Sequence, residues 1–246
     1  MSSFKTIKYA IDGQIGWIFL DRPGMLNVYN VQMRDELFEA LLAVRDDPAV
    51  NVLVLAGKGG SFCAGADLTE FGSAPSQVVA REVRWQRDVW TLLLYCQKLT
   101  VAAIHGHCIG SGLEMALMCD IRIASQEARF SMPEGKLGLI PAAGGTQTIP
   151  RSIGLGRSLE FLLTGRMINA TTASKIGLIA KVVPQSELIT QAHILATKLA
   201  DLDPRLVKQA KRAIVQGAEM DIDQGLELEK HLISHMHSIN TINFKL

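Results

Sequence analysis

The sequence lacks several features that mark particular classes of protein. It has only 4 cysteines and 8 prolines among 246 residues, and no two cysteines form a CxxC pair. All four cysteines have apolar neighbours in the sequence, so we expect buried free thiols rather than disulfides or a zinc site. They are Cys63, Cys96, Cys108 and Cys119.

The sequence also has little net charge and no long apolar run. The net charge is +1 and no basic tail is present, which predicts no nucleic-acid partner. No window approaches the roughly 18–20 apolar residues that a membrane span needs. Residues 1–10 contain neither a signal-peptide core nor an Arg-rich presequence. We therefore expect a cytoplasmic protein that does not bind membranes.

Two histidines have a spacing that can bind a metal, but their context argues against it. His231 and His235 stand four residues apart, and His237 follows them. No acidic ligand or HExxH pattern accompanies the pair. We predict a solvated helix face and no metal site.

The apolar pattern divides the chain into a strand-rich part and a helical part. The sequence predicts strands over 15–20, 51–55, 101–104 and 120–124. Helical spacing predicts helices over 31–44 and 77–97, a helix that Pro204 opens, and a last helix from Ile222. No linker interrupts the chain. We place a core domain at residues 1–190 and a helical region for oligomer contacts or a lid at residues 191–246.

A loop of small residues follows the second predicted strand, and its sequence is Gly60-Ser61-Phe62-Cys63-Ala64-Gly65-Ala66-Asp67-Leu68. Small side chains at positions 64–66 let a ligand approach the backbone closely. Asp67 predicts a helix start, where free amides favour negative charge. The segment is not a P-loop, because no Gly-Lys-Ser/Thr closes it. A tight strand-to-helix turn without a ligand is the alternative.

Glu114 and Glu134 are the candidate acid–base residues. Glu114 lies in an apolar helix after three glycines, where a carboxylate is costly to bury unless it is paired or used. Burial would raise the pKa of this carboxyl toward the range useful for proton transfer. The alternative is a surface residue that the helix dipole stabilises. Glu134 follows Pro133, and its local sequence fits a helix N-terminal residue as well as a catalytic one.

The order and spacing of these segments resemble the enoyl-CoA hydratase/isomerase (crotonase) superfamily over nearly the whole chain. The motifs are the 62–68 loop, the 110–120 helix start, Pro133-Glu134 and the 141–147 segment. Leu20-Asp21-Arg22-Pro23 with Leu26-Asn27 resembles the family's N-terminal signature. The resemblance implies an α/β fold, a crotonase-like spiral of ββα units with a helical C-terminal extension.

The same resemblance implies roles for four residues in catalysis. The backbone N–H groups of Ala66 and Ser111 would form the oxyanion hole for the thioester carbonyl. Many relatives have glycine at the second position, so Ser111 adds a hydroxyl there. Glu114 and Glu134 match the two glutamates of the family's hydratases.

The resemblance also implies a coenzyme A site. It places Arg22, Met25 and Leu26 near the phosphates and pantetheine, and Ala64, Asp67 and Leu68 near the adenine. Coenzyme A is part of the thioester substrate, so we expect no separate cofactor. The acyl pocket would use the 77–97 helix, where Trp85 and Trp90 either shape the acyl group or pack in the core. Residues 241–246 depart from the Lys- and Arg-rich end that is common in the family.

These assignments predict an enoyl-CoA hydratase that adds water across the 2,3 double bond of an acyl-CoA thioester, with a cyclic dienoyl-CoA as a variant substrate. The alternative is a double-bond isomerase that uses one glutamate. A non-catalytic oligomeric or RNA-binding member of the same fold is disfavoured, because both glutamates are retained. The resemblance further implies a homotrimer or a hexamer.

Overall fold

Two β-sheets organise the part of the chain that the computed structural model describes, which is residues 4–76, 78–79, 82 and 86–239. The side chains of 235 and 237–239 are outside this part. The expectations for Trp85, for the His235 and His237 side chains and for residues 241–246 therefore fall outside the described residues. The strands are β1 Ile7–Asp12, β2 Ile15–Leu20, β3 Val52–Gly57, β4 Leu99–Ile104, β5 His107–Ile109, β6 Ile121–Ser125, β7 Arg129–Ser131, β8 Ile168–Asn169 and β9 Lys181–Val183.

The larger sheet has the strand order β1-β2-β3-β4-β6-β9. β1 pairs with β2 in antiparallel fashion, and every later neighbouring pair is parallel. The smaller sheet has the order β5-β7-β8, with β5 parallel to β7 and β7 antiparallel to β8. The predicted α/β class is confirmed, as are the four predicted strands, within a few residues at each end.

Helices surround the larger sheet and continue after its last strand. They are α1 Val31–Asp46, α2 Val89–Leu94, α3 Ser111–Leu117, α4 Gly145–Ile153, α5 Leu155–Thr164, α6 Ala170–Lys175, α7 Leu188–Ala200, α8 Pro204–Gly217 and α9 Ile222–Ile239. The Asn30 side chain caps α1 by accepting a hydrogen bond from the Met33 amide. No helix in the described ranges is both long enough and apolar enough to cross a membrane.

The central strands are buried on both faces, which explains their continuous apolar runs. In β3, Leu53 and Leu55 join the core cluster that includes α1 and α3. Val52, Val54 and Ala56 point the other way, into a second cluster with α7. Because alternate residues of a strand face opposite sides of the sheet, both sets of side chains must be apolar when both faces are buried. α7 straddles the predicted boundary at residues 190 and 191, and that boundary stays a prediction.

The predicted continuous helix over 77–97 is wrong. The chain turns at Arg87, and α2 begins anew after Asp88. The Asp88 carboxylate accepts hydrogen bonds from the Thr91 amide and hydroxyl, so this residue caps a new helix. The buried residues of α2 are Val89 and Leu93, whereas Leu94 is 38% exposed.

The C-terminal helices α8 and α9 confirm the predicted helical extension. Pro204 is the first residue of α8, and no residue of this helix is buried. Its attachment to the core is polar. Lys211 Nζ lies 2.7 Å from Asp120 Oδ2 and donates a hydrogen bond to the Lys98 carbonyl at 3.0 Å. Asp120 Oδ2 also accepts from the amide and hydroxyl of Thr100, so the carboxylate connects α8 to β4.

Lys211→Met removes this attachment and is expected to lower the free energy of unfolding by about 2 kcal/mol, because it deletes hydrogen bonds to a charged and mostly buried group. Urea denaturation would measure the loss. Lys208→Met on the same helix is the control, because Lys208 is exposed and should change stability by less than about 0.5 kcal/mol. Equal losses of stability in the two variants would contradict the conclusion that Lys211 attaches α8 to the core.

Candidate active site

Two loops at the C-terminal ends of β3 and β4 lie side by side and form the base of the site. The Cys63 amide donates to the His107 carbonyl, and the Ile109 amide donates to the Cys63 carbonyl, both at 3.0 Å. These bonds form a parallel bridge between Cys63 and Cys108, and both side chains are fully buried. All four cysteines are free, as predicted, and Cys96 alone among them is only partly buried.

The start of α3 is packed directly against this bridge. A Cβ atom at Gly112 would lie 2.3 Å from the Cys63 carbonyl oxygen, a distance that no side chain tolerates. Glycine at this position therefore lets the helix backbone approach the loop backbone. The close approach fixes the amides of the first turn of α3 relative to the 63–67 loop.

The Ala66 amide makes no hydrogen bond to Tyr29, because Tyr29 pairs with the residues on either side of Ala66. The Tyr29 amide donates to the Gly65 carbonyl, and the Tyr29 carbonyl accepts from the Asp67 amide, both at 2.8 Å. Such a bridge uses the residues on either side of Ala66, so the Ala66 N–H is directed away from the bridge. Within the described ranges this amide has no hydrogen-bond acceptor.

The Ser111 amide is free because Ser111 is the first residue of α3. The first amides of a helix have no acceptor within the helix. Gly110 precedes it with φ +52° and ψ −123°, a conformation open to glycine, and its own amide donates to the Ser131 carbonyl. Ala66 and Ser111 both line one cavity of about 680 Å³.

Glu114 is 2% exposed, so it is a buried carboxyl group and not the surface residue that the sequence also allowed. One oxygen of its carboxylate, Oε1, accepts hydrogen bonds from the Ala143 and Gly145 amides, both at 2.9 Å. Gly145 is the first residue of α4, so the carboxylate lies at the N-terminus of that helix. Backbone donors and the helix dipole stabilise a negative charge there.

Glu134 lies in the 3₁₀ turn Pro133–Leu137 and packs against the residue before α3. A Cβ atom at Gly110 would lie only 2.7 Å from Glu134 Oε1. The other oxygen, Oε2, is buried and has no hydrogen-bond partner among the described residues. Burial raises the pKa of the Glu134 carboxyl, and the charge of Glu114 acts in the same direction. The charge of one carboxyl group therefore acts on the other, and the catalytic roles of both stay predictions.

The residues predicted to bind coenzyme A come together in two adjoining segments, 22–28 and 64–68. Arg22 donates to Asp67 Oδ2 at 3.1 Å and to the Val28 carbonyl at 2.7 Å. The Ala64 amide donates to the Leu26 carbonyl at 3.0 Å. Hydrogen bonds from Thr69, and then the Arg22 guanidinium, lower the pKa of Asp67. Arg22 is thus bound inside the protein, and only Asp67 of the predicted set also lines the cavity.

The remaining coenzyme A candidates form an exposed apolar surface beside this ion pair. Met25 is 49% exposed, Leu26 is 45% exposed and Leu68 is 58% exposed. Their roles stay predictions. No group of three or more potential metal ligands occurs in the described ranges.

Sequence reasoning missed two residues that hold the site together. The Asn27 side chain is fully buried and donates to the Lys58 and Ser61 carbonyls while accepting from the Arg22 amide. Its φ is +56°, which asparagine tolerates better than most residues, and the sequence signal for it was its place in the Leu26-Asn27 signature. Tyr29 lies on the cavity wall beside Trp90, and nothing in the local sequence marks it.

Comparison with known proteins shows the family and the fold of the chain. The chain matches the enoyl-CoA hydratase/isomerase family over residues 10–244. The mitochondrial enoyl-CoA hydratase of Pongo abelii is 36% identical over 233 residues, which is 95% of this chain and 80% of that protein. An enoyl-CoA hydratase subunit from Geobacillus kaustophilus has a TM-score of 0.90 and 33% identity, covering 96% of this chain and 91% of that one.

A second similar structure carries a ligand. It is a putative enoyl-CoA hydratase from Thermobifida fusca in complex with CoA, with a TM-score of 0.88 and 29% identity over 95% of this chain and 94% of that one. The α/β fold and its structural neighbours define a crotonase-fold protein. The chain belongs to the enoyl-CoA hydratase/isomerase family and is an enzyme.

Gly110→Ala is expected to lower the free energy of unfolding by about 1–3 kcal/mol, because it forces a side chain into a conformation reserved for glycine. Its Cβ would also displace the Glu134 carboxyl. Urea denaturation measures the loss. Gly156→Ala in α5 is the control, because a Cβ there meets no atom within 4 Å. A Gly110→Ala protein as stable as the control variant would contradict this account.

Glu134→Gln is expected to raise the melting temperature relative to wild type at about pH 7 and to lose that advantage near pH 4. Burial disfavours the ionised form of the Glu134 carboxyl group. Below the usual pKa of glutamate the group is protonated, and the folded wild type carries no penalty from it. Its stability falls as the pH rises through the raised pKa. Glu187→Gln, at an exposed position, controls for the loss of one charge. A melting-temperature difference that is the same at both pH values would refute the expectation.

Proposed function

We propose that this enzyme is an enoyl-CoA hydratase that adds water across the 2,3 double bond of an enoyl-CoA thioester. The observation that carries the proposal is a pair of interacting carboxyl groups, Glu114 and Glu134, at the helix start that also supplies a free amide. The relatives named enoyl-CoA hydratase support the same chemistry.

The Ala66 and Ser111 amides are the proposed oxyanion hole. Addition of hydroxide to the β-carbon moves an electron pair onto the thioester oxygen, and two N–H donors stabilise the resulting enolate. A donor of this kind contributes about 3 kcal/mol to transition-state stabilisation. Both donors are backbone groups in fixed segments, so they need no reorganisation when the charge develops.

The two carboxyl groups divide the proton transfers. Two backbone amides hold Oε1 of Glu114 in a fixed position, which suits a base that accepts a proton from water. The raised pKa of Glu134 suits an acid that gives a proton to the α-carbon. Water thus supplies the hydroxide and one proton, and the enzyme regains its starting state when the proton passes from Glu114 to Glu134.

We further propose that the 22–28 and 64–68 segments bind the coenzyme A part of the substrate. The exposed side chains of Met25, Leu26 and Leu68 fit the pantetheine arm and the adenine. No separate cofactor is required by this chemistry. The exposed apolar residues of α8, including Leu206 and Ile214, support assembly into a homotrimer or a hexamer, with residues 191–246 as a contact region.

Double-bond isomerisation is the second candidate. One observation favours it: Glu114 Oε1 is already bound by two amides, whereas Glu134 Oε2 has no partner in the described chain. A single carboxyl group with a raised pKa could remove a proton from one carbon and return it to another. The product would then have the mass of the substrate.

The test is mass-spectrometric product analysis with short, long and cyclic enoyl-CoA thioesters. Wild type should add the mass of one water, and Glu114→Gln and Glu134→Gln should each lower the rate by about 10²–10⁴-fold. Glu187→Gln should retain wild-type activity. An unchanged product mass with a moved double bond, surviving the Glu114→Gln substitution, would contradict hydration and establish isomerisation.

A further inference from the structure

Part of the cavity wall is aromatic. Tyr29, Phe71 and Trp90 line it together with Val31 and Val79. The Tyr29 and Trp90 rings are in contact, with centroids 5.2 Å apart and planes inclined by 51°. This tilted arrangement is one that aromatic pairs favour, and it gives the wall a defined shape.

Trp90 is held in place by its own helix. It is the second residue of α2, between the capping Asp88 and the buried Leu93. Val89 and Leu93 anchor the helix in the core, so Trp90 is left on the side that lines the cavity. The indole is partly buried against the core and partly open to the cavity. The position of the indole in the cavity wall is therefore set by the packing of α2 against the core.

Tyr29 connects this wall to the oxyanion hole. Its ring contacts Trp90, and its backbone binds the residues on both sides of Ala66. A displacement of the Tyr29 ring therefore acts on the loop that carries the Ala66 amide. The same residue contributes to the shape of the cavity and to the orientation of a proposed oxyanion donor.

We propose that the Tyr29–Trp90 pair is the wall against which the acyl chain packs, that Trp90 determines which chain lengths are accepted, and that Tyr29 is a positioning residue for the Ala66 amide. This inference rests on the proposed function, because it assigns the cavity to the acyl group of the thioester. The acyl group it favours is short enough to end at the Trp90 indole.

Two consequences distinguish this arrangement from simple core packing. Each methylene that an apolar pocket accommodates changes kcat/KM by roughly tenfold or more, so removal of the indole should favour longer chains. Because Tyr29 orients a donor that acts in the transition state, disturbance of the pair should lower kcat for short substrates as well as raise KM. A residue that only supports the fold would not change the ranking of substrates.

The experiment compares short-, medium- and long-chain enoyl-CoA thioesters in wild type, Trp90→Ala, Trp90→Phe and Leu94→Ala. Leu94 is the matched control, because it is an exposed apolar residue of the same helix and does not line the cavity. Affinities for unreactive saturated acyl-CoA thioesters of the same lengths are measured in parallel. Tyr29→Leu and Tyr29→Phe test the positioning role.

Trp90→Ala should shift the ratio of kcat/KM for long over short chains by about tenfold or more toward long chains, with a smaller shift for Trp90→Phe and none for Leu94→Ala. Tyr29→Leu should lower kcat more than it raises KM, and Tyr29→Phe should restore kcat. An active Trp90→Ala enzyme with the wild-type ranking would overturn the proposal. So would a Tyr29→Leu enzyme whose defect is confined to KM.

The parallel affinities separate this proposal from the proposed function. If wild type hydrates none of the thioesters but Trp90→Ala still shifts the affinity ranking toward longer acyl chains, hydration is wrong and the acyl wall stands. If wild type hydrates them and neither kcat/KM nor affinity changes its ranking in Trp90→Ala, the wall is wrong and hydration stands. If wild type hydrates none of the thioesters and Trp90→Ala leaves the affinity ranking unchanged, both proposals fail.

Discussion

The close backbone contact between the 63–67 loop and the start of α3 is the constraint on which the site depends. Cys63 is hydrogen-bonded on both sides to the segment that leads into the helix, and Gly112 lies so near the Cys63 carbonyl that no side chain fits between them. Two segments that are distant in sequence thus share one rigid base. Ala66 and Ser111, which follow from that base, line the same cavity.

The carboxyl groups derive their properties from the same contact. Gly110 allows Glu134 to approach the N-terminal end of α3, and Glu114 projects from the first turn of that helix toward α4. One oxygen of Glu114 accepts hydrogen bonds from two backbone amides, whereas one buried oxygen of Glu134, Oε2, has no hydrogen-bond partner among the described residues. Two groups of the same chemical type therefore acquire different environments, which is the condition for separate acid and base roles.

Local patterns predicted those elements whose burial follows a simple period. The helical spacing of Met33, Leu37 and Leu41 gave α1, and the apolar run after Asn51 gave β3, because these residues face a core directly. The helix over 77–97 was predicted as continuous because its apolar spacing hides the break at Asp88. The side chain of that residue makes the new cap only once Thr91 is helical.

Fewer features of the candidate site could be predicted from short sequence segments. Short segments left Glu114 and Glu134 undecided, and only the order of several motifs, through the family resemblance, paired them. The bridge between Tyr29 and Ala66 joins backbone atoms 37 positions apart, and backbone atoms carry no residue-specific signal. Asn27 has its role through carbonyls at positions 58 and 61, which are likewise contacts that only the fold creates.

The most direct test of the two-carboxyl hydration mechanism is turnover in water that carries heavy oxygen and deuterium. The account predicts a hydroxyacyl-CoA product with one solvent oxygen on the β-carbon and one solvent deuterium on the α-carbon, both introduced in the same turnover. A product that contains solvent deuterium but no solvent oxygen would contradict hydration and would leave proton transfer by a single carboxyl group as the chemistry of this site.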